Sequence, residues 1–409
     1  MRKNMQFTIF ILALALFQWW SCSTNPTQSE DKFPFEVKWK IENTLSSFFP
    51  PSIGPDGTLY LVSYIQEGDG GKTTLLAISK DGKIKWKYDK RSVLGINTPV
   101  IGLNGDIYFT RQGDLLALNS SNGSLKFRFT NPQGSYTATW FPAIGSDGTI
   151  YYGSGKYLYA LTPEGNMKWK FSAPTRYFAV YGPVIDNSGT IYFGAYDSLM
   201  ASSESYLYAL NPDGSLKWRY TAESRFTSHP ALDINANRIY IGTIENGLNA
   251  IDLSTGTFLW ANSTMYRLRD KEINLYGIAP VVGKDGTIYA IDYFLIAFSP
   301  ESGKQKWNKS PVKGNSPILT ASGHIIVSGG IDLEIYNPQG ELVEKITYDG
   351  EGGFNTFSNI ALGPDGTLYC IIDKTFYAFK TNYGGLAKVP WPQIGFNLAR
   401  QSNVGLSLQ

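Results

Sequence analysis

The sequence predicts an all-β fold, an eight-bladed β-propeller built from four-stranded antiparallel blades. Three observations predict it. A unit of about 40–50 residues recurs along the chain, the period of propellers and solenoid arrays. Each copy carries four short apolar segments rich in aromatic and β-branched residues, separated by glycine turns, as many short strands require. The last copy lacks its fourth segment, and a match for it stands at the other end of the chain: Val37-Lys38-Trp39-Lys40-Ile41 aligns with Ile84-Lys85-Trp86-Lys87-Tyr88. An N-terminal strand completing the last blade is a means of closing a radial array.

The first segment of each copy follows a proline, at Pro51, Pro99, Pro142, Pro183, Pro230, Pro280 and Pro317, with Ile360 in that place in the last copy. Proline lacks a backbone donor and belongs at a strand start. The second follows a Gly turn, as in Asp56-Gly57-Thr58-Leu59-Tyr60 and Asp285-Gly286-Thr287-Ile288-Tyr289; Asp-Gly between apolar runs signals a hairpin. The third ends in Ala-Leu or a relative, such as Ala117-Leu118, Ala209-Leu210 or Ala297-Phe298. The fourth has an aromatic four residues after its glycine: Trp86, Phe127, Trp169, Trp218, Trp260 and Trp307, whereas Glu344 breaks the pattern in copy seven. The repeats fill residues 33–385 as one domain, and residues 386–409 form a C-terminal Trp-Pro tail.

The segment Ala250-Ile251-Asp252-Leu253-Ser254-Thr255-Gly256-Thr257-Phe258-Leu259-Trp260 resembles the tryptophan-docking motif A-x-D-x-x-T-G-x-x-x-W of quinoprotein-type (PQQ-like) β-propellers. Ala297–Trp307 and Ala117–Phe127 follow it with substitutions, and the copies ending in Trp86, Trp169 and Trp218 are one residue shorter at the turn. The resemblance covers nearly all of the mature chain. It implies that Trp39, Trp86, Trp169, Trp218, Trp260 and Trp307 are structural docking residues, each packed between adjacent blades with its indole N–H on a backbone acceptor. A large flat ring with a single donor suits such a seam. Pro390-Trp391-Pro392-Gln393-Ile394-Gly395 resembles the Trp-Pro segment at the ends of many secreted relatives, and is expected against the outside of the disc.

Residues 1–21 have the layout of an export signal. Arg2 and Lys3 precede the apolar run from Phe7 to Phe17, and Ser21-Cys22 follows. The run is short for a membrane span. The arrangement resembles a bacterial lipoprotein signal, with Trp19 and Trp20 departing from the usual box, and implies lipidation at Cys22 with residues 22–32 as a polar tether. Removing Arg2 and Lys3 leaves Lys plus Arg equal to the 34 Asp plus Glu. A neutral chain carries no electrostatic footprint for nucleic acid. Of the two cysteines, Cys370 sits in an apolar strand and reads as buried filler.

Candidate binding residues follow from the geometry of a blade. Turns between first and second strands, and between third and fourth, share one face and are short and uniform. The opposite face carries the second-to-third loops and the links between blades. These vary in length, the longest being 63–74, 195–205 and 263–276. Aromatic and basic residues collect there, and Arg91, Trp140, Arg176, Tyr177, Arg225, Phe226, His229 and Arg267 form the candidate binding face. Variable loops on a rigid scaffold carry binding, and aromatics with arginines are the interface-enriched types.

The chemistry-bearing residues are sparse. His229 and His324 are the two histidines, neither with a partner at zinc-ligand spacing. Gly68-Asp69-Gly70-Gly71-Lys72 lacks the phosphate-loop spacing, and no nucleophile elbow is present. The expectation is a non-catalytic propeller without metal or cofactor. It would be exported, held to a bacterial cell-envelope membrane only by its lipid, monomeric, and able to bind an envelope protein or polysaccharide. In fold and tether it resembles the lipoprotein subunit of the outer-membrane β-barrel assembly machinery. The alternative is a PQQ-dependent dehydrogenase. The chain is shorter than those enzymes and has neither their adjacent cysteine pair nor a recognisable calcium-binding cluster.

Overall fold

The computed structural model describes residues 33–42, 50–67, 70–91, 97–132, 141–175, 177–178, 182–196, 204–263, 279–291, 294–311, 316–348, 358–389 and 393. The signal segment, Cys22 and its tether lie outside these residues. The described strands form eight antiparallel sheets, seven built from strands consecutive in sequence and one that joins the N-terminal strand to the last three; one of the seven has a fifth short strand. Blade one is typical: Ser52–Ile53, Leu59–Glu67, Gly70–Ile78 and Ile84–Arg91. The first strands of neighbouring blades touch, Ala143–Ile144 with Val184–Ile185 and Ala231–Asp233 with Val281–Val282. They line the centre, and the fourth strands form the rim. Second and third strands are sandwiched between blades, so they are buried on both sides and read as continuous apolar runs. Cys370 lies fully buried in one of them.

Blade eight is made from both ends of the chain. Glu36–Ile41 pairs antiparallel with Thr375–Lys380, matching Val37 to Phe379, Trp39 to Ala378 and Ile41 to Phe376. The expected closure is therefore the observed one.

Seven of the eight seams between blades repeat one contact. The aromatic of the fourth strand lies over the glycine of the next blade's last turn, and its N–H reaches a carbonyl in that turn. Trp39 donates to Lys80 O (2.7 Å), Trp86 to Ser120 O (2.7 Å) and Trp169 to Pro212 O (3.0 Å). Trp218 donates to Leu253 O (3.1 Å), Trp260 to Pro300 O (3.0 Å) and Trp307 to Pro338 O (3.1 Å). Phe127 lies on Gly165 with no donor of its own, and Tyr108 of the same blade supplies one, to Pro163 O (3.1 Å). The glycines have no substitute. Gly123 has φ +71°, where L side chains are strained, and an added Cβ would stand 2.6 Å from the Trp86 ring. A tyrosine of the second strand leans on each docking ring, as Tyr60 on Trp86 at 5.9 Å and Tyr192 on Trp218 at 5.6 Å. Burial pushes the Tyr60 and Tyr151 hydroxyls up to about 12, with the nearby turn Asp pushing the same way.

The seam from blade seven to blade eight is different. Glu344 occupies the docking position and accepts a hydrogen bond from Tyr383 Oη (2.7 Å). Aromatics fill the gap: Phe33 packs on Tyr377 and Phe379, stacks on Tyr348, and Phe35 meets Tyr383 edge-on.

A β-bulge recurs in every blade beside the docking residue. Trp86 opposes Ala77 and Ile84 opposes Ile78, which leaves Lys85 as the extra residue. Bulges re-aim side chains, and here the re-aimed lysine reaches the first turn of its own blade. Lys85 meets Asp56 and Thr58, Lys168 meets Asp147 and Thr149, Lys306 meets Asp285 and Thr287, and Lys38 meets Asp365 and Thr367. The Asp also accepts from the Thr amide two residues on, as Asp147 does at 3.0 Å. Partial burial pushes the Asp56, Asp147 and Asp285 carboxyls up, but the hydrogen bonds from Thr and the lysine charge outweigh it and hold them below the ordinary carboxylate range.

The tail corrects the expectation of a uniform turn face. After Lys380 the chain crosses to the first turn of blade seven. The Ser322, Ala321 and Ala387 amides donate to Tyr383 O, Gly385 O and Leu319 O, and Thr320 bridges Leu386. Leu386 and Ala387 are buried there. Of the Trp-Pro segment, Gln393 is buried, and the rest lies outside the described residues.

Two predictions follow from these contacts. Replacing Trp86 or Trp218 by Ala should cost about 3–5 kcal/mol, the range for a large buried aromatic, read by chemical denaturation. Trp169, Trp260 and Trp307 are half-buried rather than buried and should cost less; an unchanged midpoint for Trp86→Ala would overturn the docking role. The depressed turn carboxyls stabilise the fold above the unfolded-chain value of about 4, and that stability is lost as pH falls through their lower folded values. Exposed pairs contribute little individually, so a small fall in melting temperature is expected below about pH 4, and Asp147→Asn should flatten it.

Candidate functional site

On the link face, chain segments entering a blade lay an extra rung on the end of its second strand. Tyr177–Phe178 pairs with Tyr196 and Ala195 in blade four. In blade five Phe226 bridges Thr243, the Thr227 amide donates to Gly242 O and the Ile244 amide to Arg225 O. In blade two the Asn97 amide donates to Thr110 O. Segments expected as free links are thus stitched to the blades for part of their length. The stretch 63–74 is likewise mostly hairpin rather than loop, since the ladder runs on to Glu67 opposite Gly70.

These rungs sort the predicted binding residues. Arg91 ends the fourth strand of blade one, opposite Lys72, and Tyr177 sits in the extra rung of blade four. Arg225 is half-buried at the entry to blade five. Trp140, Arg176 and Arg267 lie outside the described residues, as do most of 195–205 and 263–276.

Phe226 and His229 are corrections to the expected surface. Phe226 is 2% exposed and packs in the core of blades four to six. His229 is 1% exposed and stacks on Phe141, with ring centroids 4.6 Å apart and planes 11° apart. Burial pulls its imidazole down to about 3, against a hydrogen bond to the Gly182 backbone. It is a neutral ring in a packed interior. An added Cβ on Gly182 would strike Phe141, so the three residues are closely fitted across blades three to five. A basic or aromatic residue beside a link reads as surface in a sequence, but the rung that pins the link turns these two inward.

The second histidine stands on the turn face. Ser322 Oγ lies 2.9 Å from His324 Nδ1, which has the look of a nucleophile with its base. The geometry opposes that chemistry. Ser322 Oγ donates to Tyr383 O at 2.6 Å, and a carbonyl can only accept. The hydroxyl proton is committed to the backbone, so Nδ1 is the donor to Ser322 and cannot act as its base. No carboxylate bonds His324 among the described residues, and the pair fastens the tail to the turn.

Among the described residues no group of three or more His, Cys, Asp or Glu could hold a metal ion. The turn carboxylates are dispersed around the ring, and Asp56, Asp147, Asp285 and Asp365 each already hold a threonine and a lysine. This donor set does not fit the calcium that a quinone cofactor of the dehydrogenase type requires.

Sequence reasoning missed the lysine–Asp–Thr ladder, although its signal was present. The lysine before the docking Trp recurs with the Asp-Gly-Thr turn, and copy seven loses all of it together: Ser322 for Asp, His324 for Thr, Val343 for Lys and Glu344 for Trp. That copy is where the tail is seated.

The profile of the family described as outer membrane protein assembly factor BamB matches residues 203–344. No curated protein matches the sequence. BamB from Moraxella catarrhalis is similar in structure, at TM-score 0.60 and 15% identity, over 85% of this chain and 98% of that one. Quinohemoprotein alcohol dehydrogenase from Comamonas testosteroni aligns at TM-score 0.61 and 16% identity, over 87% and 77% of the two chains. Virginiamycin B lyase from Staphylococcus aureus aligns at TM-score 0.51 and 11% identity, over 85% and 99%. At these identities the likeness is one of fold, and the three proteins differ in activity. With its ring of docking aromatics, the chain is an eight-bladed β-propeller, similar in fold to BamB and matching the model of that family over residues 203–344.

Proposed function

We propose that the protein is a non-catalytic β-propeller lipoprotein of a bacterial cell envelope, anchored through Cys22, which binds an envelope protein or polysaccharide as a scaffold. The observation that carries this reading is the match to the assembly-factor family across residues 203–344, which span blades four to seven. The committed Ser322 proton and the dispersed carboxylates support a binding role over a catalytic one. The partner docks on the link face, which carries Arg91, Tyr177 and Arg225. A dehydrogenase relative shares the fold, but no arrangement of donors among the described residues favours that reading.

Cross-linking from the link face in the native envelope tests the proposal. The paired change Tyr177→Ala with Arg225→Ala should leave a cooperative melt and weaken partner capture if they sit in the central cluster of an interface, where truncations cost about 2 kcal/mol or more. Cross-links confined to the turn face around Asp147 and Gly214 would overturn the face assignment.

The anchor has its own test. Cys22→Ala should stop incorporation of labelled palmitate and release soluble protein. Unchanged membrane fractionation of that variant would refute lipidation at Cys22.

A further inference from the structure

The stack of Phe141 on His229 joins links that are not neighbours. Phe141 leads into blade three, Gly182 into blade four and His229 into blade five. Blades three and five share no seam, so the two rings meet over the inner end of blade four, towards the axis of the disc. The seat is tight. A Cβ on Gly182 would stand 2.5 Å from Phe141 O and 2.8 Å from its ring, and one on Gly242 would stand 2.8 Å from Thr227 Oγ1.

The chain just before His229 is strapped to the blades. Arg225 O accepts from the Ile244 amide (3.0 Å), and the Thr227 amide donates to Gly242 O (2.9 Å). The Phe226 amide donates to Ser205 Oγ of blade four (3.3 Å). Ser228 Oγ accepts from the Gly242 amide (2.8 Å) and donates to His229 O (3.1 Å). Four consecutive residues are thus fastened, and the imidazole is the wedge at their end. Arg225 of the link face belongs to this strap. The charged groups on the elements around the imidazole are Glu223 and Arg225 on its own link, Asp233 on the strand it leads into, and Glu245 on the turn beside the strap. Glu223 and Glu245 are exposed. The described residues beside Phe141 and Gly182 carry no charge. An ion is costly to bury unless it is paired and hydrogen-bonded, so a charged imidazole favours leaving the stack for water.

We propose that His229 is an acid-sensitive latch of the link face: protonation unseats its ring from Phe141 and loosens the strap from Arg225 to Ser228. Its use rests on the reading of the link face as the docking surface, since acid would then unshape that surface at Arg225 and release the partner. The direction follows from the two states of the ring. Seated, burial holds it neutral down to about 3 against the hydrogen bond to the Gly182 backbone; free in water, it takes its proton at about 6.5. The seat is therefore fully kept above pH 6.5, and each pH unit below that favours the unseated ring by about tenfold, until about 3.

Hydrogen exchange in the purified full chain, with no partner present, tests the latch. After correction for the intrinsic rate, protection of the Thr227 and Ile244 amides should fall about tenfold per pH unit between about pH 6 and 4.5, above the range of the turn carboxyls. The Asn97 amide is the control. It makes the matching rung of blade two, on Thr110 O at 3.1 Å, where Thr98 stands in the place of His229, and its protection should hold level. His229→Phe keeps a flat ring that cannot charge and should make Thr227 and Ile244 as level as Asn97. If that variant does not fold, the contrast between Thr227 and Asn97 in the unaltered chain decides. Level protection at Thr227, an equal fall at Asn97, or a fall that survives in His229→Phe would overturn the proposal. None of these readings involves a partner, so the latch can fail while docking on the link face stands.

Discussion

The fold depends on one contact repeated around the ring: a flat aromatic laid over a glycine of the next blade, with its single donor spent on that blade's turn. A four-stranded sheet of this length has two apolar faces and cannot bury both alone. Radial stacking buries them, and the docking ring fixes how far each blade rotates against the next. The contact needs both partners, since a ring without the bare glycine has no place to lie, and the glycine needs the positive φ that the turn demands. Where the ring lacks a donor, at Phe127, a neighbouring tyrosine provides it. Where the ring itself is missing, at Glu344, the seam is rebuilt from Phe33, Phe35, Tyr348 and Tyr383. The geometry is conserved around the molecule while the chemistry supplying it changes.

The same seam explains what could be read from the residues. Blade number, strand order and the closure by Trp39 were legible because each depends on local spacing: proline before a strand, Asp-Gly at a turn, an aromatic four residues past a glycine. The lysine ladder left its residues in the repeat, but their contact rests on a bulge, and a bulge is a pairing between strands rather than a property of either. Phe226 and His229 were misplaced for a related reason. Their burial comes from hydrogen bonds between a link and the end of a strand about 15 residues away, and nothing in the link's composition announces it. The tail's course across blade seven could have been suspected from the joint loss of four motif positions in one copy. That signal marks a place and does not say what covers it.

A propeller holds its surface in two unlike halves. The turn face is assembled from short hairpins whose polar groups satisfy one another, and six blades present much the same hydrogen-bonded aspect. The link face is assembled from segments of unequal length, pinned at intervals and otherwise free to diverge in sequence. Relatives of this fold with quite different activities are accommodated because the stabilising contacts lie between blades and leave the links unconstrained. The tail departs from this division by bringing irregular chain to the regular face.

Sharing blade eight between the two ends of the chain also governs when the molecule can become whole. Lys38 meets Asp365 across 327 positions of sequence, so the first strand to leave a ribosome or a translocation pore waits for nearly the last. Until then the N-terminal strand has no partner, and the seams of blade eight stay open. Contacts this distant in sequence slow the search for the native state, and a chain held open in that way is exposed to mispairing. A ring that cannot shut early keeps its last blade incomplete until the far end of the chain arrives.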